Sequence, residues 1–164
     1  MADDRFDDRA SASACSRRTQ AKRGADAQGL GRSRGGLSTK IHAAGDALGN
    51  PIRLIGSPGQ RNDIAFAHDL VGGFNAGATI ADKGYDADHL IDRIVQTGRK
   101  AVIPPKRNRK TKRPYDIDLY KERNIIERFF NKLKQFRRVA TRYDKLLANF
   151  MGFVKLAAIA IWLK

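Results

Sequence analysis

The sequence predicts a single α/β domain, and three observations support this fold class. Predicted strands and helices alternate from residue 37 to the end of the chain. Glycine, asparagine and proline separate these elements, at 49–51, 72–73 and 104–105. A chain of 164 residues is long enough for one domain with a real hydrophobic core.

The first predicted elements are a hairpin and a helix. Apolar and polar residues alternate over residues 37–44, and residues 52–55 form a second short strand. Asn62 or Asp63 can cap a helix that continues to Leu70.

A strand, an acidic turn and another helix follow. The apolar run 78–81 ends at Asp82, and apolar residues recur at helical spacing over 90–95. Asp82 therefore lies at the carboxyl end of a predicted strand, where open α/β sheets bind their ligands. Asp86 and Asp88 are better placed than Asp82 to cap the helix. Residues 100–103 form the next short strand.

A long helix is predicted from about Ile117 to Lys134, because this stretch contains strong helix formers and neither Gly nor Pro. Glu127 lies on its polar stripe, one turn after Arg123, and a simple surface ion pair is one interpretation of this spacing. The other interpretation is a functional carboxylate at the edge of the core. The full stripe comprises Tyr120, Arg123, Asn124, Glu127, Asn131 and Lys134.

The order of elements predicts a mixed sheet flanked by helices, which is the order that an RNase H-like fold shows after its first strand. Apart from Phe6 and Leu30, residues 1–36 contain no large apolar side chains, and they are expected to form a poorly ordered basic arm. Residues 37–145 form the main domain, and 146–164 form a C-terminal helix that packs on the core. Residues 146–163 are too interrupted for a membrane span, so a cytoplasmic protein is expected.

The charge distribution indicates a polyanionic partner. The chain has 32 Lys and Arg against 17 Asp and Glu, and residues 99–145 alone hold 17 basic and 5 acidic residues. Such a basic block, interleaved with aromatic residues, is typical of nucleic-acid binding, although a solubilising surface is the simpler alternative. A zinc site is not expected, because Cys15 is alone and the three histidines show no ligand spacing.

The spacing Tyr-x2-Arg-x3-Glu-x6-Lys, formed by Tyr120, Arg123, Glu127 and Lys134, resembles the signature of bacterial insertion-sequence DDE transposases. Over residues 29–164 the chain is similar to one group of these proteins. The similar blocks are 31–42, 46–51, 58–63, 81–86, 103–105, 120–130 and 137–145.

This resemblance implies an RNase H-like catalytic domain over 37–145 that uses two Mg²⁺ or Mn²⁺ ions to cleave and transfer DNA strands. Asp82 and Glu127 match the second and third catalytic, metal-binding carboxylates, and we expect them to approach each other in the fold. Asp4 matches the first. The partners implied are double-stranded DNA, both the terminal inverted repeats and the target, and a second copy of the chain on the DNA.

Further basic residues are expected to contact DNA phosphates. Arg123 and Lys134 should act near the scissile phosphate, with Arg123 also orienting Glu127, and Tyr120 is a further expected DNA-binding residue. The remaining predicted contacts come from Lys106, Arg107, Arg109, Lys110, Arg137, Arg138 and Arg142.

The sequence departs from the family pattern at its start. Asp4 has acidic and basic neighbours where the family has an apolar strand, and these charges oppose strand burial. The helix-turn-helix region that usually precedes the catalytic domain is also missing, and a separate chain could supply it. The protein therefore resembles a catalytic half or a truncated copy, inactive or weakly active alone. The alternatives are a basic nucleic-acid-binding protein without catalysis and an RNase H-like nuclease.

Overall fold

A computed structural model describes residues 2–7, 24, 27–33 and 36–163; the side chains of 2–7 and of Ser33 lie outside this description. Four strands form an antiparallel sheet around β3. These strands are β1 (Ala2–Asp7), β2 (Gly31–Ser33), β3 (Gly36–Gly45) and β4 (Pro51–Pro58). β3 pairs with each of the other three strands, and the predicted hairpin is the β3–β4 pair.

The strand at Ala2–Asp7 differs from the expectation that charged residues would oppose a first strand. Its backbone pairs with β3 in a register that places Asp4 opposite Ile41. Backbone hydrogen bonds of this kind do not depend on the side chains, so a sequence without apolar alternation can still form them. The predicted poorly ordered arm falls largely on residues outside the described ranges and stays a prediction.

Two further strands form a separate parallel pair. β5 (Ala78–Ile80) and β6 (Lys100–Val102) pair in parallel. The connection between them contains a 3₁₀ turn (Lys83–Tyr85) and helix α2 (Asp88–Gln96), which follow the strand, turn and helix predicted there. A parallel pair needs such a crossover connection. Because β5 ends at Ile80, the Asp82 turn lies at its carboxyl end.

Five further helices lie within the described residues 64–162, and four of them, all except Ile117–Lys121, contribute buried residues to the cores beside the sheet. They are α1 (Ile64–Val71), α3 (Ile117–Lys121), α4 (Asn124–Leu133), α5 (Arg137–Ala140) and α6 (Leu147–Trp162). Ile41 and Ala43 of β3 join a core with α4, α5 and α6, whereas Ala44 joins a second core with α1, α2 and the 3₁₀ turn. Alternate side chains of a strand point to opposite faces, so β3 is covered by helices on both sides. The molecule is thus a mixed α/β structure.

The predicted continuous helix from Ile117 to Lys134 is wrong, because two helices take its place. Between them the backbone hydrogen bonds tighten to the i→i−3 pattern: the Glu122 N–H donates to the Leu119 carbonyl and the Arg123 N–H to the Tyr120 carbonyl. This is 3₁₀ geometry, which favourable helix propensities do not exclude. The break lies at Glu122 and Arg123, one turn before Glu127.

The C-terminal helix α6 packs on the core as the sequence predicts, with Phe150, Val154 and Ala157 buried. Among the residues described, no helix has the length and apolar character needed to cross a membrane.

The buried His42 gives a testable dependence of stability on pH. Burial lowers the pKa of His42 from 6.5 to about 4, with smaller opposing effects from Asp63, which raises it, and Lys40, which lowers it further. Between these two pH values the unfolded chain binds a proton that the folded protein does not. We therefore expect the free energy of unfolding to fall as the pH drops from 6.5 towards 4, by about 3 kcal/mol at most.

Urea unfolding between pH 7.5 and pH 4 measures this change. Carboxylates also titrate near the lower limit, so the matched comparison is His42→Gln, which keeps polar character but cannot titrate. The wild-type protein should lose more stability than His42→Gln across this range. Equal losses in the two proteins would contradict the assignment to His42.

Candidate active site

Asp82 follows β5 and begins the 3₁₀ turn. Its Oδ1 accepts a hydrogen bond from the Lys83 N–H at 2.6 Å, so the carboxylate caps this turn. Ala81 before it and Tyr85 after it are both fully buried, whereas the Asp82 side chain is 35% exposed. Two buried anchors thus hold the turn, and the Asp82 carboxylate remains accessible.

Glu127 lies in the first turn of α4. Its neighbour Ile126 and the later Phe130 are buried in the core that α4 shares with β3, so the helix position is fixed by packing. The Glu127 side chain is 45% exposed. Glu127 therefore projects from the edge of a packed helix, as its position on the polar stripe predicts.

Arg123 brings the two carboxylates together. Its Nη2 lies 2.6 Å from Glu127 Oε1, and its Nη1 lies 3.9 Å from Asp82 Oδ2. Asp82 and Glu127, far apart in the sequence, therefore meet at one guanidinium group. The expected approach of these two side chains is found, while their catalytic role stays a prediction.

Tyr120 supports Arg123 from the end of α3. The Arg123 guanidinium carbon lies 5.5 Å from the centre of the Tyr120 ring, within cation–π distance. The Tyr115 ring packs edge-on against Tyr120 with 5.6 Å between centres. Burial raises the pKa of the Tyr120 hydroxyl; Asp82 and Glu127 add to the rise and Arg123 opposes it. Tyr120 thus lies in the electrostatic field of both carboxylates.

The other two predicted site residues are placed less fully. The Asp4 backbone lies in β1 beside β3, and α4 contacts both strands, but the Asp4 side chain is outside the described part of the chain. Lys134 is exposed at the C-terminal end of α4, two turns after Glu127.

The donor set of Asp82 and Glu127 fits a hard divalent cation. Carboxylate oxygens are the ligands that Mg²⁺ prefers, and a positive charge already lies between them in the form of Arg123. Three or more potential metal ligands do not cluster anywhere within the described residues. A two-ion site would thus need a further ligand, and Asp4 is the residue that the sequence nominates.

The candidate carboxylates lie on an open surface. A cleft of about 770 Å³ has Arg123 on its wall, but neither Asp82 nor Glu127 lines it. The walls of this cleft are mainly apolar, including Ile52, Leu70 and Ile126. Small molecules usually bind in concave pockets. Carboxylates on an exposed surface instead suit a large polymeric substrate.

The basic loop at 106–113 is tied to the Asp82 turn. Asp86 is buried and accepts hydrogen bonds from the Lys106 N–H at 2.8 Å and from Arg109 Nη1 at 2.6 Å. Asp88 pairs with Arg109 and Arg113. The prediction that Asp86 and Asp88 cap α2 is wrong, because the N-cap is Ala87 and both carboxylates bind the basic loop.

The predicted phosphate-binding residues divide into two groups. Lys106, Arg107 and Lys110 are exposed, whereas the ion-paired Arg109 is 17% exposed. Arg137 and Arg138 are exposed, and Arg138 lies over the Phe153 ring at 4.7 Å. The exposed group is available to a polyanion in the arrangement seen here.

Arg142 does not fit its predicted role as a phosphate contact. Its side chain is 2% exposed, and its guanidinium donates to Thr39 Oγ1 and to the Asp144 and Lys145 carbonyl oxygens. These contacts satisfy a buried cation and connect the α5–α6 loop to β3. Arg142 is therefore a structural residue, which its place in a basic segment did not reveal.

Sequence reasoning also missed a polar stripe on β3. Ser38, Lys40 and His42 alternate along the strand, as polar residues on a solvent-facing side would, yet all three are buried. His42 lies 3.4 Å from the hydroxyl of Tyr85, close to Asp82. The sequence did offer a signal for this stripe. β3 has one apolar and one polar face, and a strand covered by helices on both faces must bury its polar face too.

Comparisons with known proteins show the family of this chain. A family model described as "Transposase DDE domain" matches residues 8–163. The chain is 46% identical over 131 residues to a Brucella ovis protein named "Putative transposase for insertion sequence element IS6501", and the match covers 78% of this chain and all of that protein. No solved structure gives a significant match. The chain belongs to the transposase DDE domain family.

Proposed function

We propose that this protein cleaves and joins DNA strands at insertion-sequence ends, with Asp82 and Glu127 as catalytic, metal-binding carboxylates. The observation that carries the proposal is the meeting of both side chains at Arg123, on an open surface beside a basic loop. The RNase H-like arrangement is proposed with it, since β3 has helices on both faces and Asp82 follows a parallel strand.

Each group around the site has a separate part in the proposal. Two bound Mg²⁺ or Mn²⁺ ions would supply electrostatic stabilisation of the attacking and leaving oxygens in phosphoryl transfer. Asp82 and Glu127 hold this positive charge, and Arg123 fixes the Glu127 carboxylate. Tyr120 keeps Arg123 in place through its ring. Lys134, on the same helix as Glu127, contacts the DNA backbone.

The basic loop positions the DNA backbone next to the carboxylates. Through Asp86, the loop is attached to the turn that starts at Asp82, so phosphates bound by Lys106, Arg107 and Lys110 lie near the site. Arg137 and Arg138 extend this surface. A homodimer on double-stranded DNA and a separate helix-turn-helix chain are further parts of the proposal that the resemblance supports.

The two other functions considered differ in what they leave unexplained. A basic protein that only binds nucleic acid accounts for the charge of the chain but gives no role to Asp82 and Glu127. An RNase H-like nuclease accounts for the carboxylates but not for their signature with Tyr120 and Arg123. Cleavage of DNA that carries insertion-sequence ends, compared with an RNA–DNA hybrid, separates the three functions.

Removal of either carboxylate should abolish cleavage. We expect Asp82→Asn and Glu127→Gln to slow the Mg²⁺-dependent nicking of end-containing DNA by on the order of 10³-fold or more, because members of a catalytic unit are not replaceable singly. DNA affinity should not fall, since each change removes a negative charge. Glu122→Gln is the matched control: Glu122 is exposed nearby, and within the described part of the chain it pairs with neither Asp82 nor Arg123. Nicking that survives both site substitutions would exclude the assignment.

The exposed basic loop should give DNA binding a steep salt dependence. The log–log slope of affinity against salt should become shallower by about 0.9 for each phosphate that is no longer neutralised. We expect Lys106→Ala, Arg107→Ala and Lys110→Ala each to show this reduction. Lys155→Ala on α6 removes the same charge from an exposed site outside the loop and should leave the slope unchanged. Equal slopes for all four variants would show that the loop does not bind phosphates.

Asp4 is tested through its strand. We expect the isolated chain to nick DNA weakly, and an apolar β1 made by Arg5→Ile and Asp7→Val to raise the rate, because the acidic and basic neighbours of Asp4 oppose burial. In this background Asp4→Ala should remove the gain. Strong nicking by the unchanged chain that also survives Asp4→Ala would mean that another carboxylate completes the site.

A further inference from the structure

The turn that carries Asp82 packs against buried polar side chains on β3. Ser38, Lys40 and His42 occupy the face of β3 opposite Ile41, and all three are at most 2% exposed. Polar groups are costly to bury unless they have partners. The partners of Lys40 and His42 lead to two different points of the Asp82 turn.

His42 contacts the last residue of the turn. Its Nε2 lies 2.8 Å from Ser57 Oγ on β4, and its Nδ1 lies 3.4 Å from the Tyr85 hydroxyl, a long contact. A neutral imidazole donates from one ring nitrogen and accepts at the other, so it can serve both neighbours. This contact joins the sheet to Tyr85, which is fully buried and lies three residues after Asp82.

Lys40 reaches the middle of the same turn through Asp63. Lys40 Nζ lies 2.5 Å from Asp63 Oδ1 and donates to the Arg61 carbonyl at 3.0 Å. The second oxygen of Asp63 faces Gly84 so closely that a methyl group there would lie 3.2 Å from it. Asp63, held by Lys40, therefore lies beside the backbone of the turn at Gly84.

The orientation of the Asp82 carboxylate depends on this turn. The Lys83 N–H binds Asp82 Oδ1, and the Tyr85 N–H donates to the Asp82 carbonyl at 2.9 Å. If the turn shifted, the carboxylate would move with it, away from Arg123 and Glu127. An apolar wall could fill the same space without the cost of buried charge, so packing alone does not account for these residues.

We propose that His42, Tyr85 and the Lys40–Asp63 pair are positioning residues that hold Asp82 beside Glu127. The metal-binding part of this inference rests on the proposed function, because that function gives Asp82 its role. The inference adds four residues from three separate segments of the chain to the site.

Tyr85→Phe is the sharpest variant, since it removes one hydroxyl and keeps the buried ring. We expect the backbone amides of Lys83, Tyr85 and Asp86 to exchange hydrogen for deuterium about tenfold faster, with unchanged exchange in the core that β3 shares with α4, α5 and α6. Tyr143→Phe, an exposed tyrosine outside the network, should leave all amides unchanged. The same exchange rates in Tyr85→Phe and wild type would overturn the proposal, as would uniformly faster exchange throughout the protein.

Two replacements of His42 separate its two contacts. The Gln side chain places its amide where Nε2 was and keeps the Ser57 contact, whereas the Asn side chain mimics Nδ1 and keeps the Tyr85 contact. His42→Gln should match Tyr85→Phe, and His42→Asn should have the smaller effect on the turn. In the double variant of Tyr85→Phe and His42→Gln the turn amides should exchange no faster than in the single variants. Both substitutions remove the same contact, between His42 Nδ1 and the Tyr85 hydroxyl. The reverse order of the His42 variants, or additive effects, would contradict a Tyr85-mediated role.

Titration with Mn²⁺ alone provides the second readout. Loss of a residue that orients a metal ligand typically weakens metal binding about tenfold or more, which we expect for Tyr85→Phe and not for Tyr143→Phe. Asp82→Asn is measured beside them. If Asp82→Asn leaves Mn²⁺ affinity unchanged, the metal-binding role of Asp82 fails, and amide exchange alone decides whether the network holds the turn. If Asp82→Asn weakens Mn²⁺ binding and Tyr85→Phe does not, the positioning role fails.

Discussion

The packing on the two faces of β3 determines where both candidate carboxylates lie. One face of β3 shares a core with α4, which carries Glu127, and the other face shares a core with the turn that begins at Asp82. Asp82 and Glu127 therefore meet at Arg123 although they belong to elements that pack on opposite faces of β3. A displacement of β3 would be transmitted to both, because each is fixed by packing on that strand.

The sequence predicts the main framework because hydrophobic periodicity is strong there. The hairpin, the strand before Asp82, the crossover helix and the C-terminal helix all follow from alternating or helical spacing of apolar residues. The position of Glu127 also follows from its place on a polar stripe. Asp82 is predicted from its position after an apolar run, although its partner Arg123 could only be placed relative to Glu127.

Other features depend on contacts between distant segments, which periodicity does not report. The i→i−3 bonds that end α3 occur in a stretch with good helix propensity throughout. Arg142 reads as part of a basic surface, yet backbone carbonyls and Thr39 hold it inside the protein. Asp86 reads as a helix cap and instead holds the basic loop. Arg142 and Asp86 each bind residues that are distant in the sequence, and the local sequence does not identify those partners.

The Lys40–Asp63 pair constrains how this sequence can change over generations. Lys40 is almost entirely buried, so loss of Asp63 alone would remove the carboxylate that lies 2.5 Å from its Nζ, and breaking a buried ion pair of this kind typically costs about 3–5 kcal/mol. Replacement of both residues by apolar ones of similar size would cost far less. We therefore expect substitutions at these two positions to be energetically coupled, so that replacing one residue costs less once the other has been replaced. Gly84 is linked to the same pair, because a methyl group at this position would lie 3.2 Å from Asp63 Oδ2 and the carboxylate would have to shift slightly.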